Sequence, residues 1–77
     1  MYFLIEHDGS KEANLKAKEL IEFFESNLGA TVETIISNDS EDLKVLDENF
    51  NLITRVSKLE KINEDTLLLI LRLNDYV

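Results

Sequence analysis

The spacing of hydrophobic positions changes from one stretch of this chain to the next, and each spacing predicts an element. Tyr2-Phe3-Leu4-Ile5 is a short continuous apolar run closed by Glu6-His7-Asp8-Gly9. That is the form of a strand buried on both faces and stopped by turn residues. From Ala13 the period becomes helical: Ala13, Ala17, Leu20, Ile21, Phe24 and Leu28 fall on one face, with Phe23 at its border. Ser10 stands where an N-cap is needed and Gly29 where the chain must leave through a left-handed residue, so a helix is expected over 11–28. Glu12 and Lys16, four apart, support its solvent side. Val32, Thr34 and Ile36 then alternate with Thr31, Glu33, Ile35 and Ser37, which predicts a second strand. A right-handed crossover makes it parallel to the first.

Past a polar break at 38–42, the pattern divides. Leu43, Leu46, Phe50 and Ile53 share a helical face, but Leu52, Val56 and Leu59 lie nearly opposite, which argues against one helix over 40–61. The preferred reading is a short helix ending near Asn49 or Asn51, followed by a strand from Leu52 to Ile62 rich in β-branched Ile53, Thr54 and Val56. A strand over Leu43–Leu46 is the least favoured alternative. The last apolar run, Leu67, Leu68, Leu69, Ile70, Leu71 and Leu73, is fenced by Asn63-Glu64-Asp65 and Asn74-Asp75. Its shortness predicts a central strand over 67–73, with Asn63-Glu64-Asp65 as a hairpin loop.

The expected fold is α+β, or small α/β, as one domain over 1–77. A βαβ unit is followed by a second helix and a C-terminal β-hairpin, giving one sheet of three or four strands with two helices. This order of elements resembles a stripped thioredoxin-like layout. The chain has no cysteine, so the resemblance is one of layout and implies no activity. A leucine strand with two apolar faces needs cover that helices on one side do not supply. Leu67 to Leu73 are therefore expected as a core or dimer strand, with two copies packed sheet on sheet as a homodimer.

Composition narrows the functional classes. Seventy-seven residues, 44% of them hydrophobic, make a globular domain of a size that is marginally stable alone. No apolar run reaches the roughly 18 residues of a membrane span, and no signal-peptide pattern opens the chain, so a cytoplasmic address is expected. The absence of proline and the excess of lysine over arginine suggest AT-rich coding, as in a bacterium or one of its viruses. Sixteen acidic residues against eight basic give a net charge of -8, which opposes direct contact with nucleic acid or an anionic membrane and favours a basic protein partner.

Three constellations carry candidate chemistry. Asp39, Glu41, Asp42, Asp47 and Glu48 form an acidic cluster expected to meet a basic protein surface. As a calcium loop it fails, because Lys44 and Phe50 stand where glycine and glutamate are required. Glu6-His7-Asp8 lies at the carboxyl end of the first strand, where α/β sheets place ligands. Alternation along a strand, however, puts His7 on the other side from Glu6 and Asp8. Arg55, Lys58 and Lys61 align on a helix but not on a strand, and without interleaved aromatics or a glycine-rich loop they indicate no phosphate site. The expectation is a small acidic, non-catalytic interaction protein, regulatory or inhibitory, with no cofactor and no metal. A self-assembling subunit, or a ligand-binding domain or enzyme at the Glu6-His7-Asp8 edge, is the alternative.

Overall fold

The computed structural model describes residues 1–37 and 39–76; Asn38, within the polar break at 38–42, lies outside the described residues. Its elements run β1 (Tyr2–His7), α1 (Lys11–Leu28), β2 (Thr31–Ile36), β3 (Asp42–Leu46), β4 (Leu52–Ser57) and α2 (Glu64–Leu73). The strands form one mixed sheet in the order β2-β1-β3-β4. β1 pairs parallel with β2 and antiparallel with β3, and β3 pairs antiparallel with β4. The α+β class and the opening βαβ unit are as the periodicity predicts.

α1 forms where its pattern and caps place it. The Ser10 hydroxyl accepts a hydrogen bond from the Ala13 N–H at 3.2 Å, and Gly29 closes the helix at φ 60°, a conformation that costs glycine nothing. The parallel register sets Phe3, Ile5 and His7 on the same face as Val32, Thr34 and Ile36. The antiparallel pairs add Leu43, Val45 and Val56 to that face. Against it pack Ala13, Ala17, Leu20, Phe23 and Phe24 of α1 and Leu67 and Leu71 of α2, all in one core cluster. Both helices therefore lie on one side of the sheet. Phe3 stacks on Phe24 with ring centroids 4.6 Å apart at the centre of this layer.

Two elements differ from the sequence expectation. Residues 43–46 form a strand and not a helix: Leu43 and Val45 point into the core while Asp42 and Lys44 alternate with them. The helical spacing of Leu43, Leu46, Phe50 and Ile53 is accidental, because Asp47 turns the chain between them. One Asp47 oxygen accepts from the Asn49 and Asn51 N–H groups at 2.8 and 2.9 Å, an Asx turn that closes a β3–β4 hairpin. Phe50 occupies the left-handed region in this turn at φ 64°. The strand expected from Leu52 to Ile62 ends at Ser57.

The leucine run is a helix and not the central strand. Asn63, read as part of a hairpin loop, is the N-cap, its side-chain oxygen accepting from Asp65 and Thr66 at 2.9 and 3.3 Å. Glu64 and Asp65 in the first turn and Arg72 in the last complement the helix dipole. The second helix thus follows the hairpin instead of preceding it, so the order of elements departs from the layout expected of residues 40–73. The other sheet face carries Tyr2, Glu6, Glu33 and Lys44 around Leu4 and Leu46, which are themselves buried. The two-faced leucine strand from which sheet-on-sheet packing was argued is therefore absent, while Leu4, Ile35, Leu46 and Leu52 remain on the open face. Among the described residues no helix is long and apolar enough to cross a membrane.

Strand and helix make opposite demands on neighbouring leucines. Leu69 and Leu71 would share a face in a strand, but in α2 Leu69 is 58% exposed and Leu71 1%. Leu71→Ala is expected to cost about 2–5 kcal/mol in urea melts, and Leu69→Ala less than about 0.5 kcal/mol. Equal losses at the two positions would contradict the helix.

Candidate functional site

The acidic cluster read from the sequence does not come together. Asp39 and Glu41 are exposed before β3, and Asp42 opens that strand. Asp47 and Glu48 follow its far end, about 16 Å away at the rise of an extended chain. Asp47 is committed internally. Besides the two turn amides it accepts from the Asn51 side chain at 3.2 Å and from the Tyr76 hydroxyl at 2.8 Å, and these contacts, the Asn51 N–H foremost, hold its carboxyl below the usual range. Tyr76 in turn lies tilted on Phe3 at 5.6 Å, so Asp47 anchors the end of the chain to the core.

Glu6, His7 and Asp8 are likewise each engaged, in different directions. Glu6 faces Lys44 across the β1–β3 pair at 3.8 Å on the open side of the sheet. His7 is 2% exposed on the helix side, and its Nδ1 accepts the Gly9 N–H at 3.0 Å. Gly9 itself sits at φ 78°, where an added Cβ would meet Ile36 at 3.1 Å. A groove of about 680 Å³ opens beside His7, lined by Lys11, Asn14, Leu15, Lys18, Ile21 and Thr34 among others. It runs along the β2 side of α1, with no carboxylate in its lining.

Asp8 binds Lys58, which separates that lysine from Arg55 and Lys61. The Lys58 Nζ donates to Asp8 at 2.5 Å and to the Ser10 hydroxyl at 3.3 Å, joining the end of β4 to the cap of α1. A lysine beside a serine suggests an activated nucleophile, but the chemistry runs the other way. The bond to Asp8 raises the Lys58 pKa, keeping it charged, and the Ser10 oxygen is already occupied by the Ala13 N–H. The same bridge, with the Ser10 N–H after it, holds Asp8 far below the ordinary carboxylate range. The triangle is a clamp between two ends of the fold.

A different carboxylate grouping emerges between the helices. Glu19, Glu22, Phe23 and Ser26 follow one another at helical spacing along the side of α1 that faces the entry to α2. Opposite them stand Ile62 and Glu64, and together they enclose a shallow groove of about 310 Å³. Phe23 and Ile62 form an apolar floor, buried and half-buried, under the Glu19, Glu22 and Glu64 carboxylates. Lys16 approaches Glu19 at 3.3 Å from the turn before. Such a groove fits a long cationic side chain, whose aliphatic stem lies on the apolar floor while its charge meets the carboxylates. The acids of α1 at 19 and 22 were visible in the sequence. Their partner Glu64 was not, because it joins them only if residues 64–73 form a helix.

Among the described residues no group of three or more histidines and acids is placed to hold a metal ion. Comparison with protein-family models, curated proteins and solved structures finds no match for this chain.

The Asp8–Lys58 clamp has a defined pH signature. Asp8 ionises more readily folded than unfolded, so its contribution is complete above the ordinary carboxylate pKa of about 3.9 and is lost progressively as the pH falls below it. Lys58 acts at the other extreme, its contribution being lost as the pH rises through its raised value. Asp8→Asn should lower stability at pH 7 and flatten the decline of stability on acidification, as followed by urea melts between pH 7 and 3. Lys58→Met should do the same, and the double variant should lose little more than either alone. Unchanged stability and an unchanged acid slope in both single variants would refute the clamp.

Proposed function

We propose that this protein is a small non-catalytic interaction module that binds a basic protein surface through the groove between α1 and α2, acting as a regulator or inhibitor by covering that surface. What carries this reading is the joining of Glu19, Glu22 and Glu64 over the floor of Phe23 and Ile62. The net charge of -8 supports it at longer range by drawing a cationic partner in. Desolvating a lysine or arginine head between carboxylates, with its stem on apolar surface, gives specificity that a scattered acidic surface lacks. The cluster at Asp39, Glu41, Asp42, Asp47 and Glu48 is assigned a lesser part, because its members lie at two ends of β3 and Asp47 is occupied by the turn. A surface meant for nucleic acid has the charge and the cationic side chains that such a groove recognises.

The test uses a helical peptide rich in arginine and lysine as the probe, titrated by calorimetry at low and physiological salt. Binding should weaken with salt, and the triple variant Glu19→Gln, Glu22→Gln, Glu64→Gln should weaken it at least about tenfold, which corresponds to 1.4 kcal/mol. The variant Asp39→Asn, Glu41→Gln, Glu48→Gln should change it less. If the groove variant binds as the native chain does, or the β3 variant loses more, the groove is not the site.

A further inference from the structure

The two edges of the sheet are not alike. β4 is guarded as edge strands usually are: its pairing with β3 is interrupted by a bulge between Val45 and Leu46, and it carries Arg55. β2, the other edge, is Thr-Val-Glu-Thr-Ile-Ile, with no lysine, proline or bulge. Five of its six residues are β-branched, and Ile36 is 66% exposed. Its one charge, Glu33, accepts from the Tyr2 hydroxyl at 3.1 Å on the open face of the sheet. We infer that β2 is the pairing edge for a second copy of this chain, joined antiparallel about a twofold axis to make one continuous eight-stranded sheet.

The backbone fixes which residues meet. The Thr31 N–H donates to the Met1 carbonyl at 2.9 Å and the Ser37 N–H to the His7 carbonyl at 3.1 Å. The parallel ladder therefore uses residues 31, 33, 35 and 37, and Val32, Thr34 and Ile36 turn both N–H and C=O outward. Two such edges pair antiparallel only where outward residues face outward residues. With Thr34 opposite Thr34 of the second copy, Val32 falls opposite the partner's Ile36 at both ends, and all three outward residues of each copy are bonded. Shifting the centre to Glu33 or Ile35 leaves one outward residue at an end of β2 without a β2 partner, and centring on Glu33 also sets two carboxylates directly opposite. The Thr34 register has neither fault.

The helix above this edge agrees with the same axis. The groove beside His7 runs between α1 and β2, over Thr34, with Leu15 and Ile21 as apolar lining. Lys11 and Lys18 stand along its N-terminal half, and Glu25 continues that line of α1 towards the other end. A twofold through Thr34 places the two α1 helices antiparallel, so the lysines of one copy approach the Glu25 end of the other. This surface shares no lining residue with the Glu19–Glu64 groove, although Lys18 and Glu22 stand one turn apart on α1.

Engineered cysteines read the register directly, because the chain has none of its own. In the pairing inferred, the two Thr34 Cα atoms lie about 5.5 Å apart, within disulfide reach, whereas Thr31 and its counterpart lie about 20 Å apart along the strands. Under mild oxidation at about 100 μM, Thr34→Cys should give a covalent dimer and Thr31→Cys should not. A mixture of Thr31→Cys and Ser37→Cys chains should cross-link to each other. Sedimentation equilibrium should show the native chain moving from its 8.9 kDa protomer mass towards twice that value as concentration rises. Thr34→Pro removes only an outward N–H and should weaken the dimer at least tenfold while the folded monomer persists by circular dichroism. A native chain that stays at the protomer mass at every concentration overturns the inference. So does a dimer unaffected by Thr34→Pro, or one in which Thr31→Cys cross-links to itself as readily as Thr34→Cys.

Discussion

The structure depends on keeping one face of a four-stranded sheet dry with two helices, while the other face sets polar and charged residues around Leu4 and Leu46. Phe3 on Phe24 is the central contact of that dry layer, since β1 is an interior strand and α1 crosses above it. Leu67 and Leu71 complete the layer from the other end of the chain, and Tyr76 returns to Phe3 beyond them. A domain this small removes only about 60% of its unfolded surface from water, so it has little core to distribute between two faces. A helix from residues 64–73 spends Leu67 and Leu71 on the core and leaves Leu69 and Leu73 to solvent. A strand there would have presented apolar side chains to both faces, and one of them had no cover.

That constraint explains which parts of the fold were legible in the sequence. α1 was readable to its bounds because one apolar stripe, one N-cap and one C-terminal glycine all agree. β1 and β2 were readable because turn residues isolate them. The leucine run was not, because continuous apolar character from Leu67 to Leu71 erases the period that separates helix from strand. The deciding signals were local: Asn63 as a cap, acids in the first turn, arginine in the last, and the high helix propensity of leucine. In β3 the error had the opposite origin. Leu43 and Val45 alternate plainly, but a chance spacing of Leu46, Phe50 and Ile53 across an Asp47 turn imitated a helix.

The candidate site inherits both errors. Acids close in sequence, from Asp39 to Glu48, are driven to two ends of β3 by the extended backbone, whereas Glu19 and Glu64, far apart in sequence, are brought to one groove by helix packing. Strand alternation correctly parted His7 from Glu6, but Asp8 lies past the end of β1 and turns to Lys58 and the α1 cap instead of sharing Glu6's side. Their partners were not legible: Lys44 lies across an unrecognised strand pair, and Lys58 reaches Asp8 from fifty residues away. Charge in this chain is organised by topology more than by neighbourhood.

Asp8 and Lys58 show what that organisation does for the fold. The β1–α1 turn and the end of β4 belong to elements that share no strand pairing, since β3 lies between β1 and β4. A part-buried ion pair ties them without enlarging the core. It also fixes Asp8, whose other oxygen accepts the Ser10 N–H at 2.9 Å, in the turn that positions the cap of α1. The clamp therefore acts on α1 through its first turn, and α1 carries one wall of the acidic groove and one flank of the β2 edge. Loosening Lys58 would disturb both surfaces although it belongs to neither, because each is defined by where α1 begins.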